Sequence, residues 1–411
     1  MRILLLTQWF DPEPTVKGLV FAKKLRDLGH EVEVLTGFPN YPSGNVYPGY
    51  SIKPMQVELI EGIRVTRVPL YPSHDRSAVR RIANYASFAL SSCIAGLFAI
   101  RKPDVIYTNG PPPTVGVSAA FISLFRRAPF VYDILDLWPD TLAATGMMNN
   151  SKALKVVNWI CNWIYKRAAH ITVTAPGMRD RLLARGVPEN KLTVIYNWCD
   201  ESSIGSLRPE VSERHPGSDF EKPSARFDVL FAGNMGKAQA MDAVLGAGLI
   251  LKNENPSVRL LLIGGGIEVE RLKKSAEERA ITNIKFLPRV PMSEVGAILA
   301  RADALLVHLK DDPLFRITIP SKTQAYLAAG KPVVMAVAGD AAQMIRESEA
   351  GVCAQPEEAR SIADAIKQLS ELGVEKSLEM GQRGRRYYCE NLSLDVGARK
   401  FVAVFNEVAP P

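Results

Sequence analysis

The sequence is poor in cysteine, and its cysteines form no pattern that would build a disulfide framework or a zinc site. The five cysteines are scattered over 411 residues, with no C-x-x-C pair among them. Small secreted domains and zinc modules rely on closely and regularly spaced cysteines. This usage excludes both classes and is typical of a reducing compartment, so we expect a cytoplasmic protein.

Long apolar runs are also missing. A membrane-spanning helix needs about 18 uninterrupted apolar residues. The nearest approach, Ala83–Ile100, is broken by an asparagine and three serines. The apolar run Ile3–Leu6 is much shorter than the hydrophobic core of a signal peptide. The sequence therefore predicts neither a transmembrane helix nor a secretion signal.

Motifs of several common enzyme classes are absent as well. The five histidines show no metal-ligand spacing, and there is no Walker loop and no G-x-S-x-G nucleophile motif. Gly264-Gly265-Gly266 lacks the G-x-G-x-x-G spacing of a dinucleotide fingerprint, so it predicts mainly a turn. We expect no bound metal ion and no cofactor.

What the sequence does contain is an ordinary globular composition with a basic balance. Apolar residues make up 47% and charged residues 23% of the chain, the net charge is +7 and the pI is about 9.1. A chain of this length predicts two or three domains. Its charge favours nucleotides, lipid phosphates or an anionic membrane surface as partners, although the same charge also serves solubility alone.

Short apolar runs alternate with segments of helical spacing. Arg2–Leu6, Val16–Leu28 and Glu31–Leu35 predict a strand, a helix and a strand, and this alternation continues as far as Tyr196. After a lapse it restarts with the strand Phe227–Ala232 and ends in one long final helix. Strand–helix–strand units with right-handed crossovers build doubly wound parallel sheets.

The lapse itself defines the domain organisation. Residues 201–226 are polar, contain prolines and show no periodicity, which is typical of a linker. We predict an α/β protein of two doubly wound Rossmann-like domains, 1–205 and 227–390, joined by a linker over 206–226. Such sheets bind ligands beyond the carboxyl ends of their strands, so we expect the site in a cleft that the two domains face.

The strongest local signal is the segment Pro320–Gly330. Ser321 and Gln324 form an S-x-x-Q pattern, which predicts a capping box at the start of a short helix, and Gly330 predicts its end. The N–H groups and positive dipole of a helix N-terminus, reinforced by Lys322, favour a phosphate. The alternative is a normally capped surface helix with a solvated lysine.

Two further segments follow predicted strands. In Phe231–Gln239 (FAGNMGKAQ), small residues would let the backbone approach a ligand, and Lys237 would offset pyrophosphate charge; the alternative is a tight turn. In 136–140 (DLWPD), two carboxylates and a tryptophan suit sugar hydroxyls or a general base. There the alternative is a helix cap with a packed tryptophan.

Basic residues flank the apolar stretch 83–100. They are Arg76, Arg80, Arg81, Arg101 and Lys102. A basic and apolar surface suits an anionic bilayer or a lipid diphosphate. A core helix with solvated ends explains the same pattern.

Six motifs occur along the chain in a fixed order. They are LLLTQWFDPEP at the start, GHEVEVLTGFPNYPSG at 29–44, DLWPD at 136–140, NWCD at 197–200, FAGNMGKAQ at 231–239 and PSKTQAYLAAGKPVV at 320–334. Together they resemble family 4 glycosyltransferases of the GT-B fold, and the branch that contains the WbuB-type L-fucosamine transferases in particular. The resemblance covers nearly the whole chain. It implies a retaining, metal-independent transfer from a nucleotide diphosphate sugar, usually a UDP-sugar.

The motifs and the resemblance together indicate which residues form the site. The second domain would bind the donor and the first the acceptor, and a last helix over about 391–411 would return to the first domain. Nucleotide-sugar contacts are expected from Gly18, Asn234, Lys237, Arg289, Ser321, Lys322, Thr323 and Gln324. Asp136 and Lys322 are the expected catalytic residues, and Arg76, Arg80, Arg81 and Trp138 the expected acceptor or membrane contacts.

The sequence departs from the family pattern at four positions. Ile317 and Ala325 stand where relatives have two glutamates, Asn234 where they have arginine, and Leu135 where they have histidine. Without the second glutamate, the ribose contact would fall to Gln324, although its capping role competes. The donor site would then rest on Ser321, Lys322 and backbone amides.

The resulting functional prediction is specific. A retaining glycosyltransferase would move an N-acetylated 6-deoxyhexosamine, such as N-acetyl-L-fucosamine, from a UDP-sugar to a polyprenyl-diphosphate-linked saccharide in bacterial O-antigen or capsule assembly. It would work peripherally at the cytoplasmic face of the inner membrane, with no nucleic-acid partner. Two alternatives remain: a non-hydrolysing UDP-sugar epimerase, and a non-catalytic nucleotide-binding scaffold of polysaccharide assembly.

Overall fold

The chain folds into two compact units in a computed structural model that describes residues 1–73, 77–205 and 226–409. Unit 1 comprises residues 1–196 together with the segment that begins at Leu394, and unit 2 comprises Asn197–Ser393. Unit 1 therefore ends nine residues before the predicted boundary at 205. The predicted linker, 206–226, lies outside the described residues except for Arg226.

Contacts explain why residues 197–205 belong to unit 2. The Tyr388 hydroxyl donates a hydrogen bond to Glu201 (2.8 Å) and accepts one from the backbone N–H of Cys199 (3.3 Å). A Cβ at Gly296 would lie only 2.1 Å from the carbonyl oxygen of Ser203. The segment is thus held by helices of the second unit.

Within the described part of the chain, unit 1 contains a sheet of eight strands. The strands are β1 (Arg2–Leu6), β2 (Glu31–Gly37), β3 (Gln56–Ile60), β4 (Ile63–Val68), β5 (Val105–Gly110), β6 (Phe130–Ile134), β7 (His170–Val173) and β8 (Leu192–Val194). Their order is β3-β4-β2-β1-β5-β6-β7-β8, and only the pair β3–β4 is antiparallel. The chain leaves β1 towards β2 and later continues on the other side with β5, which makes the β1–β5 pair the topological switch point.

Seven α-helices of the described residues belong to this unit. They are α1 (Leu19–Asp27), α2 (Ala78–Phe98), α3 (Pro113–Arg126), α4 (Asp140–Ala144), α5 (Ser151–Arg167), α6 (Pro176–Ala184) and, after unit 2, α16 (Leu394–Val408). The hairpin β3–β4 was not predicted. It turns at Glu61 and Gly62, which both have positive φ angles, as a tight two-residue hairpin turn requires.

Unit 2 repeats the arrangement with a six-stranded, all-parallel sheet. Its strands are β9 (Phe227–Ala232), β10 (Val258–Ile263), β11 (Ile284–Leu287), β12 (Ala304–His308), β13 (Val333–Ala336) and β14 (Gly351–Cys353). Their order, β11-β10-β9-β12-β13-β14, places the switch point between β9 and β12. The predicted fold class, two doubly wound Rossmann-like domains, is confirmed.

The helices of unit 2 correct one expectation. They are α7 (Glu201–Gly205), α8 (Asp242–Glu254), α9 (Val269–Glu278), α10 (Met292–Arg301), α11 (Pro313–Arg316), α12 (Ser321–Ala328), α13 (Asp340–Ser348), α14 (Ala359–Glu371) and α15 (Val374–Asn391). The long final helix of the prediction is wrong, because α14, α15 and α16 are separate helices. Gly373, with φ of 78°, separates the first two, since an L side chain rarely adopts that conformation.

Aromatic packing holds α16 in unit 1. The Phe401 ring lies 5.3 Å from the ring of Phe21 in α1 and 5.4 Å from that of Tyr107 in β5, measured between centroids. Phe401, Phe21 and Tyr107 are all fully buried. Outside this core, Lys24 of α1 forms an ion pair with Asp395 of α16. The last helix is therefore part of the core of the first unit.

We expect Phe401→Ala to lower the free energy of unfolding by about 3–5 kcal/mol, because it removes a buried aromatic ring and leaves a cavity. Urea unfolding followed by circular dichroism measures the loss. Lys400→Ala, an exposed neighbour in the same helix, is the control and should change stability by less than about 0.5 kcal/mol. Equal stabilities of the two variants would contradict the assignment of α16 to the core.

Candidate functional site

The turn after β9 and the first turn of α12 meet at the carboxyl edge of the unit 2 sheet. Lys322 in α12 places its Nζ 3.5 Å from the ring centroid of Phe231, near the end of β9. Gly233 directly follows β9. A Cβ at this position would lie 3.2 Å from the same Nζ. The sequence motifs around Phe231–Gln239 and Pro320–Gly330 thus form one site in space.

The ammonium group of Lys322 has an unusual environment. Its Nζ is buried and has no hydrogen-bond partner among the described residues. Burial lowers the pKa of Lys322 to about 7, because removal from water disfavours the charged form. The facing Phe231 ring offsets part of that cost through a cation–π contact. An anion placed beside Nζ would offset much more, so the site is suited to a phosphate group.

The start of α12 differs from the predicted capping box. Pro320 occupies the N-cap position, and no side chain of the described residues caps the helix. The Gln324 side-chain amide turns inward, towards the carbonyl oxygens of Pro320 and Ser321. Its assignment with nitrogen facing these two acceptors, at 3.0 and 2.9 Å, is the one that satisfies both of them. The capping box is therefore wrong, because Ser321 is already helical. The N–H groups of Ser321 and Lys322 are left without a capping side chain.

Glycines hold the turn after β9 in place. The backbone N–H of Gly233 donates to Ile263 (2.9 Å) and that of Met235 to Gly265 (2.8 Å). A Cβ at Gly264, where φ is 141°, would lie 1.9 Å from the carbonyl oxygen of Gly233. The triple glycine is thus a turn, as expected, and its tight packing fixes the backbone next to Lys322.

His308 is a residue of this region that the sequence did not reveal. It ends β12 and is fully buried. Its Nδ1 lies 2.6 Å from the carbonyl oxygen of Gln239, and its Nε2 accepts a hydrogen bond from the N–H of Glu357 (3.0 Å). These partners place the proton on Nδ1. Burial lowers the pKa of His308, so the neutral ring ties together two loops, one of which carries Lys237.

The other predicted donor contacts of unit 2 fall into two groups. Asn234 and Lys237 are exposed in the loop after β9, and Arg289 is exposed in the loop after β11, two strands away in the sheet. The side chains of Thr323 and Gln324 are buried instead. The structure therefore brings Asn234, Lys237 and Lys322 to the carboxyl edge of the sheet. The side chains of Thr323 and Gln324 pack inside the unit instead.

Gly18 belongs to unit 1, unlike the other predicted donor-site residues. It is the N-cap of α1, and a Cβ at this position would lie 2.2 Å from Oδ2 of Asp11. The same Oδ2 accepts a hydrogen bond from the N–H of Leu19 (2.6 Å). A local reason for the glycine is therefore the capping of α1 by Asp11.

The segment after β6 carries the predicted residues Asp136 and Trp138. Asp136 is exposed, yet the protein around its carboxylate displaces enough solvent to raise its pKa. Trp138 is half-buried, and its backbone N–H donates to the carbonyl oxygen of Asp136 (3.1 Å). Asp140, the second carboxylate of the motif, forms ion pairs with Arg181 and Arg185. Asp136 is thus the carboxylate of the motif that remains accessible.

The predicted acceptor or membrane contacts lie partly outside the described residues. Arg80 and Arg81 occupy the first turn of α2, where Ser77 is the N-cap. Arg76 lies outside the described residues. Trp138 lies in a different segment, after β6.

A buried carboxyl group in unit 1 also escaped the sequence analysis. Glu13 accepts hydrogen bonds from the N–H groups of Phe10 (3.1 Å), Asn40 (2.8 Å) and Tyr41 (2.7 Å). It thereby joins the loop after β1 to the loop after β2. Burial raises the pKa of Glu13 to about 7, although the three N–H groups act in the opposite direction.

Two further features of the described residues concern metals and membranes. In residues 1–73, 77–205 and 226–409, no group of three or more His, Cys, Asp or Glu side chains is placed to hold a metal ion. None of the helices in these ranges is both long enough and apolar enough to span a bilayer.

Comparison with known proteins decides the class of enzyme. Residues 19–198 match the glycosyl transferase 4-like domain, and residues 218–387 match the glycosyl transferases group 1 domain. Anabaena HepE, solved in complex with UDP and glucose, superposes with a TM-score of 0.67 at 18% identity, covering 99% of this chain and 100% of that one. The chain is a glycosyltransferase of the GT-B fold.

Two curated proteins resemble this glycosyltransferase over most of its length. The putative colanic acid biosynthesis glycosyl transferase WcaI of Escherichia coli K12 is 26% identical, covering 90% of this chain and 92% of WcaI. The probable glycosyltransferase WbjE of Pseudomonas aeruginosa is 25% identical, covering 74% of each. The resemblance to family 4 glycosyltransferases is thus confirmed at the level of family and fold, while the fucosamine branch stays a prediction.

The environment of Lys322 predicts a specific dependence of stability on pH. Its folded-state pKa, about 7, is below the usual 10.5. Between these values the unfolded chain holds a proton that the folded chain has released, so this residue makes the enzyme more stable as pH rises. We expect Lys322→Met to be more stable than the wild type at pH 6. This advantage should shrink by up to ~1.4 kcal/mol per pH unit above 7.

Urea unfolding at pH 6 and pH 9 measures this difference. Lys237→Met removes an exposed lysine of the neighbouring loop. Its difference in stability from the wild type should not change between pH 6 and pH 9. A wild-type-minus-Lys322→Met difference that is constant with pH would show that the ammonium group is hydrated in solution.

Proposed function

We propose that the enzyme transfers a sugar from a UDP-sugar to a polyprenyl-diphosphate-linked saccharide, with retention of anomeric configuration and without a metal ion. The observation that carries the proposal is the buried, unpaired ammonium group of Lys322 beside Gly233. A lysine in such a position is stabilised when a diphosphate binds. HepE, a protein of the same fold, binds UDP, which supports a UDP-linked donor.

Unit 2 would bind the donor through its diphosphate. Lys322 supplies a charge that is already desolvated, and the N–H groups of Ser321 and Lys322 point out of the start of α12. Lys237, exposed in the loop that His308 anchors, adds a second positive charge. Asn234 and Arg289 at the same sheet edge would contact the rest of the nucleotide.

The chemistry follows from where charge develops. The bond between the anomeric carbon and the β-phosphate oxygen breaks while the acceptor oxygen bonds to the same carbon. Negative charge grows on the departing UDP, and Lys322 with the α12 N–H groups would stabilise it. The acceptor proton passes to a phosphate oxygen or to Asp136, whose raised pKa suits a proton acceptor.

Unit 1 would bind the acceptor, a lipid-linked saccharide. Trp138 and Asp136 suit sugar hydroxyls, and Arg76, Arg80 and Arg81 suit the lipid diphosphate or the membrane surface. The name of WcaI refers to colanic acid biosynthesis, which supports a role in bacterial surface polysaccharide assembly, as O-antigen or capsule. The sequence resemblance favours an N-acetylated 6-deoxyhexosamine as the transferred sugar.

A donor screen tests this proposal. UDP-sugars, including UDP-N-acetyl-L-fucosamine, are incubated with polyprenyl-diphosphate-linked saccharides, and products are read by mass spectrometry and by anomeric NMR couplings. We expect one added residue with the donor's anomeric configuration, in the presence of a chelator. Conversion of a UDP-sugar without acceptor would indicate an epimerase instead, and UDP binding without turnover would indicate a scaffold.

The role of Lys322 has its own test. We expect Lys322→Ala to lower kcat by about 10²–10³-fold, the usual effect of removing one preorganised donor to a developing anion. UDP affinity, measured by calorimetry, should fall as well. Lys237→Ala, which removes an exposed charge, should reduce kcat much less. Wild-type turnover in a folded Lys322→Ala enzyme would exclude this mechanism.

A further inference from the structure

Three neighbouring helices of unit 1 contain no acidic residue. The chain has 43 aspartates and glutamates, yet α2, α3 and α5 have none. Their basic residues are Arg80, Arg81, Arg126, Lys152, Lys155, Lys166 and Arg167. The three helices connect β4 to β5, β5 to β6 and β6 to β7, so right-handed crossovers place them on one face of the sheet. We call the surface formed by α2, α3 and α5 the acid-free face; the neighbouring α6, which carries the exposed Asp180, is not part of it.

Apart from Arg80 in the first turn, the exposed residues of α2 are apolar. Its outward residues recur every three or four positions, the spacing of one helix face, and they are Val79, Ile82, Ala83, Ala86, Leu90, Ile94 and Phe98. Phe98 is 84% exposed and Leu90 68% exposed. The opposite side of α2 is buried, for example at Phe88. A surface helix of a soluble protein normally turns polar residues outward, so this side of α2 requires a different explanation.

The apolar surface continues onto α3. The two helices run side by side and parallel, because Ser92 bonds Ser118 (3.0 Å between hydroxyls) and Arg126 donates to the carbonyl of Leu97 (3.2 Å). A Cβ at Gly96 would lie 2.4 Å from Ile122, so the helices approach closely. The exposed residues of α3 thus lie beside the last turns of α2, and they are Phe121, Leu124 and Phe125.

α5 extends the same face with aromatic and basic residues. It packs on the other side of α3, where a Cβ at Gly116 would lie 2.9 Å from Ile164. Trp159 is 67% exposed, and the guanidinium of Arg167 lies 5.2 Å from the Trp163 ring centroid. Amphipathic aromatic rings beside Lys and Arg are typical of the membrane–water interface.

We propose that the acid-free face docks unit 1 on an anionic lipid bilayer. The apolar residues of α2 and α3 enter the headgroup region, and the lysines and arginines lie against lipid phosphates. Charge complementarity favours lipid over a second copy of this chain, because two such faces would bring only positive charges together. The inference deepens the proposed function, since a lipid-linked acceptor is found in such a surface.

Vesicle flotation tests the proposal without donor or acceptor. Vesicles of phosphatidylglycerol and phosphatidylethanolamine are compared with phosphatidylcholine vesicles at low and high salt. We expect binding to the anionic vesicles that weakens with salt. The double variant Leu90→Ser/Phe98→Ser should bind at least tenfold more weakly. Lys152→Gln/Lys155→Gln should lose about fivefold per charge, as expected for basic residues at an anionic surface.

Matched controls come from unit 2. Val374→Ser/Leu378→Ser removes two exposed apolar residues of α15, and Lys274→Gln/Lys376→Gln removes two exposed lysines; both should bind vesicles like the wild type. All variants should keep the wild-type circular dichroism spectrum and transfer to a water-soluble acceptor analogue. Loss of that transfer in every protein, with vesicle binding intact, would refute the proposed function alone.

Two results would overturn the membrane assignment. The first is an absence of binding to anionic vesicles by the wild type. The second is a dimer in light scattering that Leu90→Ser/Phe98→Ser converts to a monomer, which would make the acid-free face a contact between copies of the chain.

Discussion

A positive charge held out of water is the constraint on which unit 2 depends. The Lys322 ammonium lies over the Phe231 ring with no hydrogen-bond acceptor among the described residues. Keeping it there requires a rigid surrounding, because a mobile side chain would return to solvent. The neighbouring backbone supplies that rigidity through the tight packing of Gly264 against Gly233 and through the hydrogen bonds of His308. Stability lost at this point is recovered when an anion binds, which couples local order to ligand binding.

The buried ionisable groups of unit 1, in contrast to Lys322, have hydrogen-bond partners. The Lys17 ammonium lies 2.5 Å from Asp133, which also accepts hydrogen bonds from Tyr107 (2.8 Å) and Thr172 (2.6 Å). Glu13 is satisfied by three backbone N–H groups. Such fully paired groups fix loops and strand ends relative to one another, and breaking one pair leaves a buried charge alone. The paired groups of unit 1 thus hold its loops and strand ends in fixed positions. In unit 2, the Lys322 ammonium group stays available for a ligand.

The architecture was predictable because its signal is local. Apolar runs such as Arg2–Leu6 and Phe227–Ala232 are strands with the predicted limits, since strands covered on both faces need continuous apolar residues. The capping box failed because Pro320 takes the N-cap position, and the sequence pattern alone does not fix where the first helical residue falls. His308 was missed because its partners, Gln239 and Glu357, are distant in the chain. The burial of Lys322 depends likewise on a ring from another strand, so no spacing rule could reveal its lowered pKa.

The return of α16 to unit 1 has a consequence for how the chain is made. Phe21 and Tyr107 are synthesised long before their partner Phe401, with the whole of unit 2 in between. Domains generally fold as units while the ribosome is still at work. The first unit cannot complete this aromatic core until its last helix has been synthesised, after the whole of unit 2.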